Sequence, residues 1–122
     1  MAKENNILEI TPVLPSSDIK RDVQWHKEKT GYEWIGGDDM YCVLRRENSF
    51  IHLQWHADTA EDPLLGGSVI KIFVKDIEPI FEELVAKGGV NNDLLRRNTD
   101  WGTHEFGMYD PNNNSIFFVQ DV

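Results

Sequence analysis

Apolar and polar residues alternate along residues 7–15 (ILEITPVLP), 50–56 (FIHLQWH) and 68–74 (SVIKIFV), the period of half-buried strands. After the first and third of these runs the period changes. Ile19, Val23 and His26 follow Asp18 at helical spacing, and Ile77, Ile80, Phe81, Leu84 and Val85 follow Asp76. Ser16, Ser17, Asp18 and Asp76 are residue types that cap helix N-termini, because a short side-chain oxygen can accept from the first free amides. Gly31 and the Gly88-Gly89 pair stop the helices, and Pro79 is tolerated in a first turn. Shorter strand-like runs lie near residues 32–35, 40–45, 93–97, 104–109 and 115–120. Gly36-Gly37-Asp38-Asp39 and Arg46-Glu47-Asn48 supply turns.

The pattern repeats. Each half reads strand, acidic cap, helix, glycine stop and three strands. Asn48-Ser49-Phe50-Ile51-His52-Leu53-Gln54 aligns without a gap on Asn114-Ser115-Ile116-Phe117-Phe118-Val119-Gln120. This predicts an α+β fold of two βαβββ modules, whose curled mixed sheets surround a cleft. Residues 1–122 form one domain in this reading, with module one at about 7–56, a linker at about 57–67 and module two at about 68–121. A single such module leaves sheet edges and one face open, and a second module or chain covers them. Alternation places Ile70, Ile72 and Val74 beneath the helices and Val69, Lys71 and Phe73 on the concave side. The repeat register puts Ile51, Leu53 and Trp55 on that side too. A one-residue slip would turn His52 and Gln54 inward instead.

Composition narrows the function. The chain has 122 residues, 40% hydrophobic and 27% charged, with a net charge of −9. That field repels phosphate backbones and attracts cations, so nucleic acid is a poor partner and a positively charged ligand a good one. No apolar run approaches the roughly 20 residues that cross a bilayer. The opening MAKENNILEI predicts no secretory leader, and a cytoplasmic location is expected. The single cysteine, Cys42, sits in the apolar run MYCVL and reads as a buried thiol; no CxxC is present. Nucleophile-elbow, Walker and dinucleotide-binding sequences are absent.

Three pieces carry a family likeness: TPVLPSSD, DDMYCVLRRENSFIHL and DWGTHEFGMYDPNNNSIFFVQ. The chain resembles the vicinal-oxygen-chelate superfamily of glyoxalases, fosfomycin-resistance enzymes, extradiol dioxygenases and bleomycin-resistance proteins. The last of these are the nearest in likeness. Asn113 stands where the usual family turn has glycine, a mild departure because Asn tolerates positive φ. The resemblance implies the glyoxalase/bleomycin-resistance fold, a homodimer, and a drug sequestered without degradation in clefts between the two chains. It also implies four strand positions where the superfamily's enzymes bind a divalent metal. Here these are Thr11, Val69, Phe117 and, through the repeat, Ile51. One hydroxyl and three apolar side chains make no shell for such an ion, so neither a metal nor another cofactor is expected.

Trp34, Tyr41, Trp55 and Trp101 fall at strand ends or loops near the cleft mouth, and Phe73, Phe117 and Glu105 join them as candidate ligand-binding residues. Aromatic walls in an acidic field suit a planar, cationic guest such as a bleomycin-type glycopeptide, with its flat bithiazole and cationic tail. No catalytic residue is assigned. Three readings compete: a non-catalytic binding protein, a metal-dependent lyase, isomerase or dioxygenase built on His52, Gln54 and Glu105, and an interaction module without a small ligand. Trp25 and His26 read as packing or surface residues, His104 belongs to the family-like piece, and Asp110 reads as the turn acid.

Overall fold

The strands and helices follow the caps. The computed structural model describes residues 4–122. In order come β1 (Val13–Ser16), α1 (Ile19–Lys29), β2 (Glu33–Gly37), β3 (Tyr41–Arg46), β4 (Ser49–Trp55), β5 (Val69–Phe73), α2 (Ile77–Ala86), β6 (Thr103–Tyr109) and β7 (Ser115–Asp121). Asp18 caps α1 by accepting from the Arg21 amide, and Asp76 caps α2 by accepting from Glu78. Gly31 and Gly88, at φ 74° and 77°, carry the chain out of the helices through a backbone region that costs glycine little. Among the described residues no helix is long and apolar enough to cross a membrane.

Two mixed sheets result, a four-stranded one in the order β1-β4-β3-β2 and a three-stranded one in the order β5-β7-β6. In each, the first strand pairs in parallel with the last, and hairpins supply the antiparallel pairs. Each sheet has its helix on one face and leaves the other open. Leu14, Ile19, Tyr32, Cys42, Leu44, Ile51 and Leu53 form one buried cluster; Ile77, Ile80, Phe81, Leu84, Phe106 and Phe118 form another. The clusters meet, since Ile116 of β7 belongs to the first, and Ile72 and Met108 pack against both. The modules are therefore joined through their helix-side faces. Arg46 of β3 crosses this seam in a two-pronged ion pair with Glu83 of α2, at 2.6 and 2.7 Å.

Three expectations need correction. Residues 7–12 alternate like a strand but form none, because pairing with β4 begins only at Pro12 and Val13. Residues 93–97 supply a single bridge, Arg96 to Glu105, and no strand. The register of β4 is the third. Val13 and Lys71 each precede their cap acid by five residues, and their partners are His52 and Phe117. The ungapped match had set Phe117 against Ile51. The two hairpin turns differ in length, two residues at Glu47-Asn48 against five at 110–114, so the returning strands leave on opposite faces. Ser49 points to the helix side and bonds Tyr32 at 2.6 Å, whereas Ser115 shares the open face with Val69 and Tyr109. Ile51 and Leu53 are accordingly core residues, and Phe50, His52 and Gln54 face outward.

Candidate functional site

The open face of the second sheet is built in register. β5 contributes Val69, Lys71 and Phe73, β7 contributes Ser115, Phe117 and Val119, and β6 contributes Thr103, Glu105, Gly107 and Tyr109. Gly107 is where two groups approach closely: a Cβ there would lie 2.5 Å from the Phe117 ring. Glycine thus lets that ring lie flat against β6. Phe73 is 60% exposed and Trp101 58%, large values for rings on a small domain.

Glu105 is the polar centre of this face. It is only 3% exposed, yet its Oε2 accepts from Thr103 Oγ1 at 2.8 Å and from Trp101 Nε1 at 3.2 Å. Its backbone is clamped by Arg96 on one side and Val119 on the other. Burial pushes its pKa up, but the hydrogen bonds from Thr103 and Trp101, with the charges of Lys71 and Arg96, outweigh that and hold it below the usual carboxylate range. The result is a fixed anion beside an exposed indole. The turn at 99–102, closed by the Gly102 amide on the Thr99 carbonyl at 3.0 Å, sets the indole there.

On the first sheet the open face carries Val13 and Pro15 of β1, Phe50, His52 and Gln54 of β4, and Tyr41, Val43 and Arg45 of β3. Tyr41 Oη and His52 Nδ1 share a hydrogen bond of 2.7 Å, with the rings edge to face at 5.5 Å. The Arg45 guanidinium lies over Phe50, 5.8 Å from its centroid. A groove of about 400 Å³ runs where this sheet meets β5, lined by Thr11, Phe50, Lys71 and Phe73 among others.

Of the seven candidate ligand-binding residues, the fold brings Phe73, Trp101, Glu105 and Phe117 onto one face and puts Tyr41 on the other sheet's open face. Trp55, at the end of β4, lines a shallow groove with Val13, Pro15 and Gln54. Trp34 stands apart: it pairs with the buried Leu44 and borders a hollow with Ile19 and Val23 of α1, on the helix side. His52, Phe50 and Lys71 are open-face residues absent from the candidate set. The parallel register of β1 with β4 is what reveals the first two.

With the register corrected, the four metal positions implied by the resemblance hold Thr11, His52, Val69 and Phe117. One imidazole among a hydroxyl and two apolar groups does not fit a resident ion. Among the described residues no three of His, Cys, Asp and Glu gather closely enough to hold one. His104 lies on the helix side and accepts from the Asn98 amide.

No family model matches the chain. A bleomycin resistance protein of Geobacillus stearothermophilus is 25% identical over 131 residues, covering 95% of this chain and 98% of that protein. The chain is similar to bleomycin-resistance proteins in sequence and has their fold. Superposition on a bleomycin-binding protein complexed with bleomycin gives a TM-score of 0.75 at 18% identity, over 95% of this chain and 100% of that one. For the bleomycin-binding protein of Streptomyces verticillus complexed with copper(II)-bleomycin the values are 0.69 and 23%, over 94% and 97%. The glyoxalase/bleomycin-resistance fold implied by the resemblance is thus the fold observed. In this chain the turn at 110–114 passes through Asn113 at φ 62°.

Proposed function

We propose that the chain is a non-catalytic binding protein that sequesters a planar, cationic small molecule of the bleomycin type. The observation that carries this reading is the ionised Glu105 fixed beside the exposed Trp101, with Phe73 and Phe117 on the same face. Rings bind a flat guest by area and stacking, and the carboxylate anchors its positive charge. A carboxylate held below its usual range is a weak proton acceptor, which favours binding over general-base chemistry. The net charge of −9 speeds arrival of a cation. The relatives named as bleomycin resistance and bleomycin-binding proteins support the choice of guest.

The cleft is completed by a second copy in this reading. The open faces leave Val69, Phe73 and Tyr109 exposed, and Ile7, Leu8 and Ile10 stand free at 84%, 96% and 92% exposure. So much apolar surface on a small chain suits a partner, and a C2 dimer is the usual solution. Light scattering at micromolar concentration checks it, and a monomer overturns the shared cleft.

Titration of the protein with metal-free bleomycin tests the function. Saturable quenching of tryptophan fluorescence, with the drug recovered at unchanged mass, is the expected result. Absence of saturable quenching, or a change in the drug's mass, overturns it.

A further inference from the structure

The Tyr41–His52 pair has no role in the binding just described. It is also more than packing. His52 is half-buried on the open face, paired with Val13 and Val43 and flanked along β4 by Phe50 and Gln54. Its Nδ1 is engaged by Tyr41 Oη at 2.7 Å, whereas Nε2 has no hydrogen-bond partner among the described residues. In the tautomer whose Nδ1–H donates to Tyr41, Nε2 keeps its lone pair. That is the arrangement that orients and strengthens a metal-binding imidazole, the second ring nitrogen being tied to a neighbour. Yet among the described residues no His, Cys, Asp or Glu side chains join it in a group of three that could hold an ion of the protein's own.

Resting on the ligand reading above, we propose that His52 Nε2 donates one coordination bond to a transition-metal ion that the guest itself carries. The guest's own nitrogen and oxygen atoms fill the other positions. Binding replaces one weakly held water on that metal by the imidazole; the Nε2 lone pair forms the new bond, the water leaves, and no electron or proton changes hands. Imidazole suits copper, zinc, iron and nickel in this role. Tyr41 is a positioning residue, since it touches the imidazole and not the metal. The site therefore distinguishes a metal-loaded chelating guest from the same guest without metal.

The experiment has two arms. In the first, calorimetric titration compares copper(II)-bleomycin with metal-free bleomycin. The wild type is expected to bind the copper form about tenfold more tightly, Tyr41→Phe to lose most of that preference, and His52→Gln to lose all of it. Affinity for metal-free bleomycin stays unchanged in His52→Gln. In the second, electron paramagnetic resonance follows copper(II)–iminodiacetate, a small chelate with open positions, added to protein labelled with nitrogen-15. A nitrogen coupling present in the wild type and in His104→Gln but missing in His52→Gln supports the proposal. Equal affinities for the two bleomycin forms, or a coupling retained in His52→Gln, overturn it. Should bleomycin fail to bind in either form, the ligand reading falls, and the chelate arm still decides for or against the donor.

Discussion

Asn112 Nδ2 donates to Asp22 Oδ2 at 2.6 Å, joining the last turn of the second module to the first helix across 90 residues of sequence. Both side chains are buried. Asp22 also accepts from Ser16 Oγ and from Arg21 Nε, while Asn112 Oδ1 accepts from the Ser17 amide and from Arg21. The turn itself is held by Asp110, whose Oδ1 accepts from the Asn112 and Asn114 amides at 2.9 Å.

This relationship predicts the effect of Asn112→Ala. The change removes one donor from a buried carboxylate and strands the Ser17 amide, a loss of about 3 kcal/mol. For a chain of this size that lowers Tm by roughly 10 °C. Thermal unfolding followed by circular dichroism measures it. A Tm within a degree or two of wild type would show that the latch contributes nothing.

Much of this frame is legible in the sequence. Asp18, Asp76, Gly31 and Gly88 mark helix ends by local chemistry, which operates within a turn and needs no partner. The faces of β5 are legible as well, because Ile70 and Ile72 alternate cleanly with Lys71 and Phe73. The β4 face is not. Phe50, Ile51, Leu53 and Trp55 give apolar residues on both sides of the strand, so only the strand pairing decides, and that depends on the length of a turn. Hence the sequence names Tyr41 as a candidate but admits its partner His52 only in the alternative register. Residues 7–12 fail for a different reason: they alternate, but alternation does not supply a neighbouring strand.

Burial of His26 predicts a pH dependence of stability. The side chain is 0% exposed, Nδ1 lies 3.0 Å from Thr30 Oγ1, and Nε2 has no partner among the described residues. Burial lowers its pKa from 6.5 to about 4, against a smaller opposing pull from Asp22. The unfolded chain therefore binds a proton at higher pH than the folded one. Stability contributed by the neutral form is full above pH 6.5 and falls as pH drops toward 4, by about 3 kcal/mol in all. Urea unfolding at pH 7, 6 and 5 reads the slope. His26→Gln is expected to flatten it by about 1 kcal/mol per pH unit, and an unchanged slope would exclude His26 as its source.

Gly107 predicts a link between packing and binding. A methyl group at this position collides with the Phe117 ring, which has to lift off β6. Gly107→Ala is expected to cost about 1–2 kcal/mol of stability and to weaken quenching by bleomycin several-fold, because the displaced ring no longer lies in the plane of the open face. Unchanged affinity in a folded variant would remove Phe117 from the binding surface.

Glu105→Gln separates charge from shape. The amide keeps an oxygen that can accept from Trp101 Nε1 and Thr103 Oγ1, so the indole keeps its place. What disappears is the negative charge that Lys71 and Arg96 help to hold. A hydrogen-bonded contact to a charged group is worth about 1.5 kcal/mol or more, so affinity for a cationic guest should drop roughly tenfold. A neutral aromatic probe of similar size should bind both proteins equally. Raising the salt concentration should weaken cation binding in both proteins, and less in the variant, which keeps the rest of the acidic field but lacks the Glu105 charge. Equal losses for cationic and neutral guests would mean that Glu105 shapes the face through Trp101 and reads no charge.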